Sequence, residues 1–385
     1  MFSKADLAAL TEATPAPGIS LFLPTHVFGR ETLQNPTVLK NLLAEARGQL
    51  AAQGQSATDI DTLLAPATTR LEDFEYWQHQ DKGLALFLSA DGMQAFQLPL
   101  AVDEMAVVAP GFHILPLLPL QEQGAEFVIL TMTADDTRAF RGTRFSITAM
   151  PIADMPASVE ALDGPPDYEG SLQSGGYGRP NTGGRNMPKT QVYGDSPEEW
   201  RKGRLVEFAH RTAAALAAHL ARHPVDVVVI ADAEIAGLVM KAEALKPLIV
   251  GCVEVNPASL DDAGLHAAAL SVMQPIRDAA QQATLATLDA LSGRNDAKVC
   301  TDPVALCAAA SHGRIDQLFL AEGAALPGQF DEGTAIATPG DGPGTETRDL
   351  CNLAASLTLH NGGTVRVVPP ERLPHDATMV AILRY

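Results

Sequence analysis

Cysteine is scarce in this chain and poorly spaced for chemistry. Its four residues, Cys252, Cys300, Cys307 and Cys351, form no C-x-x-C pair. Neither a zinc knuckle nor a dithiol redox centre is expected, and buried, reduced thiols are. No apolar run approaches the roughly 18 residues that a membrane span needs. The first ten residues show no basic stretch followed by an apolar one, so no signal peptide is expected; the expected setting is the cytoplasm, without a membrane partner. A Gly-x-Ser-x-Gly elbow and a phosphate-binding P-loop are both missing. Positive charge is also short: 27 Lys and Arg stand against 46 Asp and Glu, for a net charge of −19. Taken alone, that balance argues against tight non-specific binding to nucleic acid, which rests on cations meeting phosphates, and DNA is not an expected partner. No cofactor and no metal site are expected.

What is present suffices for a sizeable core. The chain has 385 residues, 46% of them hydrophobic, which suggests two or three domains. The charge is uneven. Residues 1–121 carry 6 basic and 13 acidic side chains, residues 122–247 carry 13 and 17, and residues 248–385 carry 8 and 16. Within the least acidic third, 171–190 holds Arg179, Arg185 and Lys189 and no acid. Contact with RNA is expected there, if anywhere.

The first segment, 1–121, reads as a small α+β unit. Ile19–Leu23 is an apolar strand stopped by Pro24. Asn35–Leu50 is a helix with Pro36 in its first turn and Val38, Leu39, Leu42, Leu43, Ala46 and Leu50 on one face. Gly83–Leu88 and Gln94–Leu98 form a hairpin across Ala90-Asp91-Gly92. Phe112–Leu120, with its two prolines, reads as an edge strand and connector. In the second segment, 122–247, Phe127–Thr133 and Thr137–Phe140 are strands joined by a turn, and Phe145–Ala149 is a third. From 151 to 197 the sequence turns to Pro, Gly, Ser and Asn, a loop of a length that is uncommon unless it has a function of its own. A helix starts at Glu198, with Ser196 as cap, and runs to about His223. Val225–Ile230 is a β-branched strand of the buried parallel kind. The third segment, 248–385, has helices at Ala258–Leu291 and Asp302–His312, strands at Gln317–Leu320, Thr364–Val368 and Met379–Tyr385, and a Gly- and Pro-rich linker at 323–345. This alternation reads as an α/β layer.

The order of these features resembles the bacterial branch of the archaeo-eukaryotic class I peptide chain release factors and their relative pelota. The resemblance is carried by Ile19–Pro24 and its helix, Lys82–Phe87, Phe127–Leu130, Arg141-Gly142-Thr143, the Gly-rich basic loop before a long helix, Asp226–Ala231, Ala308–Asp316, Gly362–Val365 and the closing Ile382-Leu383-Arg384-Tyr385. It implies a fold of α/β and α+β class: a three-domain release-factor-like architecture with a mixed-sheet middle domain, a loop at 164–197, and an α/β layer C-terminal domain. It also implies the ribosome or tRNA as partner. In the family a Gly-Gly-Gln loop works in the peptidyl transferase centre. Two glycines let the backbone approach the ester, a backbone N–H stabilises the leaving oxygen, and the Gln places water. At the corresponding place this chain has Ser174-Gly175-Gly176-Tyr177-Gly178-Arg179, and a second pair follows in Gly183-Gly184-Arg185. Gly175, Gly176, Gly183 and Gly184 are the candidate catalytic backbone. The Gln is absent, which argues against peptidyl-tRNA hydrolysis of the family's type. Stop-codon reading is not expected either, because Asn35-Pro36-Thr37-Val38 and Leu86-Phe87-Leu88-Ser89 depart from the decoding motifs.

The candidate RNA-binding side chains are Arg179, Arg185 and Lys189 of the loop and Arg201, Lys202 and Arg204 of the helix. The helical Arg201, Lys202 and Arg204, with Arg211, read somewhat better as a solvated face paired to Glu198, Glu199 and Glu207. Asp135 and Asp136 fit turn formers better than a metal pair. Asp232 and Glu234 follow a buried strand, where α/β sites often lie, but Asp232 also fits a helix cap. His26 and His312 read as structural. Two functions therefore lead: a translation protein that binds ribosome or tRNA, in ribosome rescue or quality control, and a non-catalytic interaction module, homo-oligomeric or not, that kept the fold and lost the chemistry; a third, weaker reading is a small-molecule or metal-dependent enzyme using Asp232 and Glu234.

Overall fold

The structure is a computed structural model. It describes residues 2, 4–13, 15–27, 29–123, 126–162, 197–294, 296–340, 347–374 and 377–385. The chain divides into two compact units, one made of Met1–Ala125 with Asp278–Tyr385, the other of Glu126–Arg277.

The N-terminal part of the first unit contains α1 (Lys4–Glu12), β1 (Gly18–Pro24), α2 (Asn35–Ala52), α3 (Ala57–Thr68), α4 (Phe74–Gln78), β2 (Gly83–Ser89), β3 (Gly92–Leu98), β4 (Met105–Ala109) and α5 (Leu118–Gln123). The strands form an antiparallel sheet in the order β3-β2-β1-β4. Alternate residues of β1 face opposite ways. Ile19, Leu21 and Leu23 pack with Leu39, Leu42, Ala46 and Leu50 of α2 and Ile60 and Leu64 of α3. On the other face Phe22 meets Phe87 edge-on at 5.7 Å, and Phe87 meets Phe112 at 5.3 Å. Both faces are buried, which is why the run is apolar apart from Ser20. Helix α2 also seals the outer edge of the sheet. Gln49 donates to Ala106 O (2.8 Å) and accepts from Val108 N (2.9 Å), and Gln53 donates to Val108 O (2.9 Å). Edge groups that would otherwise pair with a foreign strand are thereby satisfied.

The second unit holds β5 (Phe127–Met132), β6 (Thr137–Gly142), β7 (Ile147–Ala149), α6 (Pro197–Leu220), β8 (Asp226–Ala231), α7 (Ala233–Val239), β9 (Ile249–Glu254) and the first half of α8 (Asp262–Gly293). Its sheet runs β7-β6-β5-β8-β9 and is mixed: β5, β8 and β9 are parallel, while β6 and β7 return antiparallel. Strand β9 places the edge of this sheet beyond residue 247. Helices α6 and α7 cover one face through Leu205, Phe208, Leu216 and Ile235. Helix α8 covers the other through Leu265, Ala269 and Met273. A doubly covered sheet needs strands apolar on both sides, as the Val-Val-Val-Ile of β8 is.

The C-terminal part of the first unit adds β10 (Val299–Cys300), α9 (Pro303–Ser311), β11 (Ile315–Ala321), β12 (Pro327–Asp331), β13 (Ile336–Pro339), β14 (Arg348–Asp349), α10 (Leu350–His360), β15 (Thr364–Val368) and β16 (Met379–Leu383). One sheet has the order β10-β16-β11-β15, with β11 and β15 parallel and linked through α10. Gly313 makes the step from α9 to β11 at φ +66°, a value that an L side chain rarely adopts. The α/β layer and the mixed middle sheet expected from the sequence are both present. Among the described residues, no helix is long and apolar enough to cross a membrane.

Two expectations fail. Phe112–Leu120 is not an edge strand. Residues Leu115–Leu117 are a 3-10 turn that runs straight into α5, so Pro116 and Pro119 occupy first-turn positions, where a missing N–H costs nothing. The stretch 323–345 is not a plain linker either. It contains the β12–β13 hairpin, whose turn is tied by Asp331 accepting from Gly333 N (2.8 Å) and the Thr334 hydroxyl (2.7 Å).

Candidate functional site

The Gly-rich segment is carried by the second unit. Gly175, Gly176, Arg179, Gly183, Gly184, Arg185 and Lys189, with the cap Ser196, lie outside the described residues. The frame on which the segment is mounted is described, and its construction follows from α6. Leu205, Phe208, Ala209, Ala213, Leu216 and Leu220 recur at helical spacing and are buried against the sheet. Arg201 and Lys202 are exposed at the N-terminal end of this helix.

Arg204 is placed differently. Its Nη2 donates to Val159 O and Leu162 O, each at 3.3 Å, and so grips the last residues before the loop. The same stretch is held from two other sides. Val159 N donates to Ala134 O at 2.9 Å, and Leu162 is buried in the core beneath α6. Seven residues of helix, about 10 Å at 1.5 Å per residue, separate Pro197 from Arg204. Both described ends of the 163–196 segment are therefore held at one end of α6. Further along the helix, Arg211 pairs with Glu207 at 2.7 Å, the solvated i,i+4 pair that the spacing suggested.

The strand returning from the turn is also basic. Arg138 pairs with Asp136 at 2.9 Å and lies over the Phe140 ring, while Arg141 faces Glu126 at 3.6 Å. Gly142 sits against Phe127, and a Cβ at 142 would come within 2.7 Å of the Phe127 ring. From α8, Arg277 lies over the Phe127 ring at 5.5 Å. Burial and the neighbouring Arg144 lower the Arg277 pKa, while Asp226 offsets part of that effect. His266 Nε2 meets Thr143 O at 2.7 Å and fixes the turn beyond Gly142 to α8. The Arg141-Gly142-Thr143 triplet is thus a packing device.

The remaining sequence candidates fall to local roles. The Thr133 hydroxyl accepts from Asp135 N (3.3 Å) and Asp136 N (2.9 Å), which makes the two acids turn residues. Asp232 caps α7 by accepting from Ile235 N at 3.0 Å, and Glu234 is exposed. His312 closes the end of α9 through Nδ1 and Ala308 O (2.7 Å). His26 is held by Asn35, whose Oδ1 accepts from His26 N (3.0 Å) and whose Nδ2 donates to His26 O (3.2 Å). Among the described residues, no group of His, Cys, Asp and Glu could hold a metal ion.

Sequence reasoning missed one buried polar group in the first unit. His113 is 8% exposed, and its backbone N–H donates to the Ser20 hydroxyl at 2.9 Å. Its ring stands edge-on to Phe22 at 6.3 Å, and burial pushes its pKa down to about 4. The residues on either side of it are fastened to α10. Asn352 accepts from Ile114 N (2.7 Å) and donates to Phe112 O (2.9 Å). A lone His in a Pro-bounded apolar run gives no warning of this arrangement.

Comparison with known proteins places this architecture in a class. Residues 126–314, just under half of the chain, match bacterial archaeo-eukaryotic release factor family 3, a match that begins where the second unit begins and runs on through α8 and α9. No curated protein matches the sequence. Solved structures that match include an archaeal translation termination factor, aRF1 (14% identity, 100% of this chain and 99% of that one, TM-score 0.23). Pelota of Archaeoglobus fulgidus matches at 12% identity over 100% and 92%, with a TM-score of 0.30, and Dom34 of S. cerevisiae at 10% over 76% and 73%, with a TM-score of 0.35. Superpositions at this level define no shared geometry.

Proposed function

We propose that the protein is a release-factor-like translation factor that engages the ribosome or tRNA, in ribosome rescue or quality control, with the 163–196 segment as its contact with RNA. The observation that carries this reading is the family match over 126–314, which spans both the segment and the frame that holds its ends. The charge distribution supports it. Arg179, Arg185 and Lys189 lie in a stretch without acids, and Arg201 and Lys202 stand exposed where the segment rejoins α6. Cations placed so can meet phosphates although the chain as a whole is acidic. The sequence also places two glycine pairs, Gly175-Gly176 and Gly183-Gly184, in the same stretch. Without the Gln, the reading includes neither water placement of the family's kind nor stop-codon decoding.

Sedimentation with bacterial ribosomes across a salt series tests this, with a variant in which Arg179, Arg185 and Lys189 are Ala. Salt-sensitive association is expected, with a log–log salt slope smaller by about 2 in the variant, since each lost phosphate contact removes roughly 0.7–0.9. Absence of association at low salt overturns the reading. A second reading, a protein-interaction module without chemistry, has its own support in the net charge of −19 and the missing Gln. Co-purification with a protein partner that survives nuclease treatment would favour it.

A further inference from the structure

The first unit contains a cavity of about 550 Å³ that the translation reading does not use. Its walls are apolar and come from both parts of the unit: Val102, Met105, Val107 and Leu115 on one side, Leu320 and Val367 on the other. Two polar groups face it from within. One is His113, nine-tenths buried, whose ring nitrogens have no hydrogen-bond partner among the described residues. The other is Asp349. Its Oδ1 accepts from Leu326 N and Cys351 N, both at 2.9 Å, so the start of α10 is already capped by the protein's own carboxylate and offers no vacancy to an anion. Desolvation raises the Asp349 pKa, the sign of a carboxylate short of a counter-charge. Exposed Asp103 and Glu322 stand at the rim. Among the described residues, no Lys or Arg lines the cavity. Arg348 lies on a neighbouring cleft of about 850 Å³, 3.7 Å from Glu332.

An apolar chamber with a few convergent polar groups is the usual form of a small-molecule site. The sign of its charge selects the ligand. Three carboxylates and a neutral imidazole repel anions, tolerate a cation and offer it acceptors, while the walls require an apolar body. We propose that this cavity binds a small organic cation, an amine carried on an aliphatic or alicyclic body, with the ammonium directed to His113 and Asp349.

Three probes of nearly one shape separate the possibilities: cyclohexylmethylamine, cyclohexylmethanol and cyclohexanecarboxylate, titrated into the full chain while the methyl resonances of Val102, Val107, Leu115 and Val367 are followed by NMR. The amine should shift these methyls saturably and bind about tenfold more tightly than the alcohol, the difference a charge-assisted hydrogen bond makes. The carboxylate should leave them unmoved. Asp103→Asn with Glu322→Gln, both at exposed positions that no core contact depends on, should weaken the amine by about two- to five-fold per carboxylate. His113→Phe, which keeps a ring against Phe22, should abolish the preference for amine over alcohol. Equal affinity for amine and alcohol, or no saturable shift with any probe, overturns the proposal.

Discussion

The two units solve the same problem, a sheet to be buried, in opposite ways. The five-stranded sheet of Glu126–Arg277 is covered on both faces by helices of its own unit. In the N-terminal four-stranded sheet α2 and α3 cover one face. Its other face is closed by an aromatic cluster around Phe22, Phe87 and Phe112 and by the segment that Asn352 fastens to α10. Charge separates them as well. The first unit carries 13 basic and 27 acidic residues, the second 14 and 19. The difference teaches where each function can sit. A self-contained frame of low net charge can hold a basic segment by its ends, whereas a strongly acidic unit closed from two stretches of chain leaves a chamber suited to a cation.

The contrast can be broken most severely at Phe208, fully buried on the inner face of α6. Phe208→Ala should cost about 3–5 kcal/mol. In a denaturant titration the loss should appear in probes of the second unit and leave those of the first in place. A single shifted transition would show that the units do not unfold independently.

The next largest effect is a pH dependence confined to the first unit. Folding lowers the His113 pKa from 6.5 to about 4, so the unfolded chain binds the proton more readily. The stability that neutral His113 permits is present in full above pH 6.5 and falls away between pH 6.5 and about 4, by about 2–3 kcal/mol in all. Asp349, whose pKa burial raises, acts with the opposite sign at the acid end. His113→Phe should remove the loss in that window, as urea midpoints across the pH range would show.

Asn352→Ala tests the closure of the first unit. It strips partners from Ile114 N and Phe112 O, at a cost of about 1–3 kcal/mol. Amide exchange at Ile114 should quicken while exchange in β5 and β8 stays the same. The smallest effect belongs to Arg204→Ala, about 1–2 kcal/mol for two carbonyls left without their donor. Limited proteolysis should then cut near 159–162 sooner, with little change in global stability.

Much of the fold could be read from the chain because its central strands are buried on both faces and hence almost wholly apolar. Phe127–Met132 and Val227–Ala231 announce themselves in this way, with Thr131 the one polar residue in them. Elements whose stability comes from elsewhere do not. Strand β4, Met105–Ala109, is held at its edge by Gln49 of α2 and by Gln53 at the C-terminal cap of that helix, an arrangement that no local pattern shows. The β12–β13 hairpin is short and half exposed, and its turn signal reads as linker composition. In Leu115–Gln123 the prolines that break strands also begin helical turns, and composition alone does not separate the two. Of the candidate site residues, Arg201 and Lys202 are exposed as helix periodicity suggests. The grip of Arg204 on Val159 and Leu162 depends on 40-odd residues of intervening chain coming back to α6, and His113 and Asp349 meet one cavity from stretches more than 200 residues apart.

The packing of Gly142 under the Phe127 ring, with Arg277 on the ring, also constrains the order in which this sequence can change. Any side chain at 142 would collide with a full-sized ring, so Gly142→Ala is harmful on its own and tolerable only after position 127 has shrunk. Shrinking 127 first opens a hole that Arg277 no longer covers well, and that step is costly too. The three positions form a lock with no cheap single move, and the route out of it passes through a less stable intermediate whichever residue goes first.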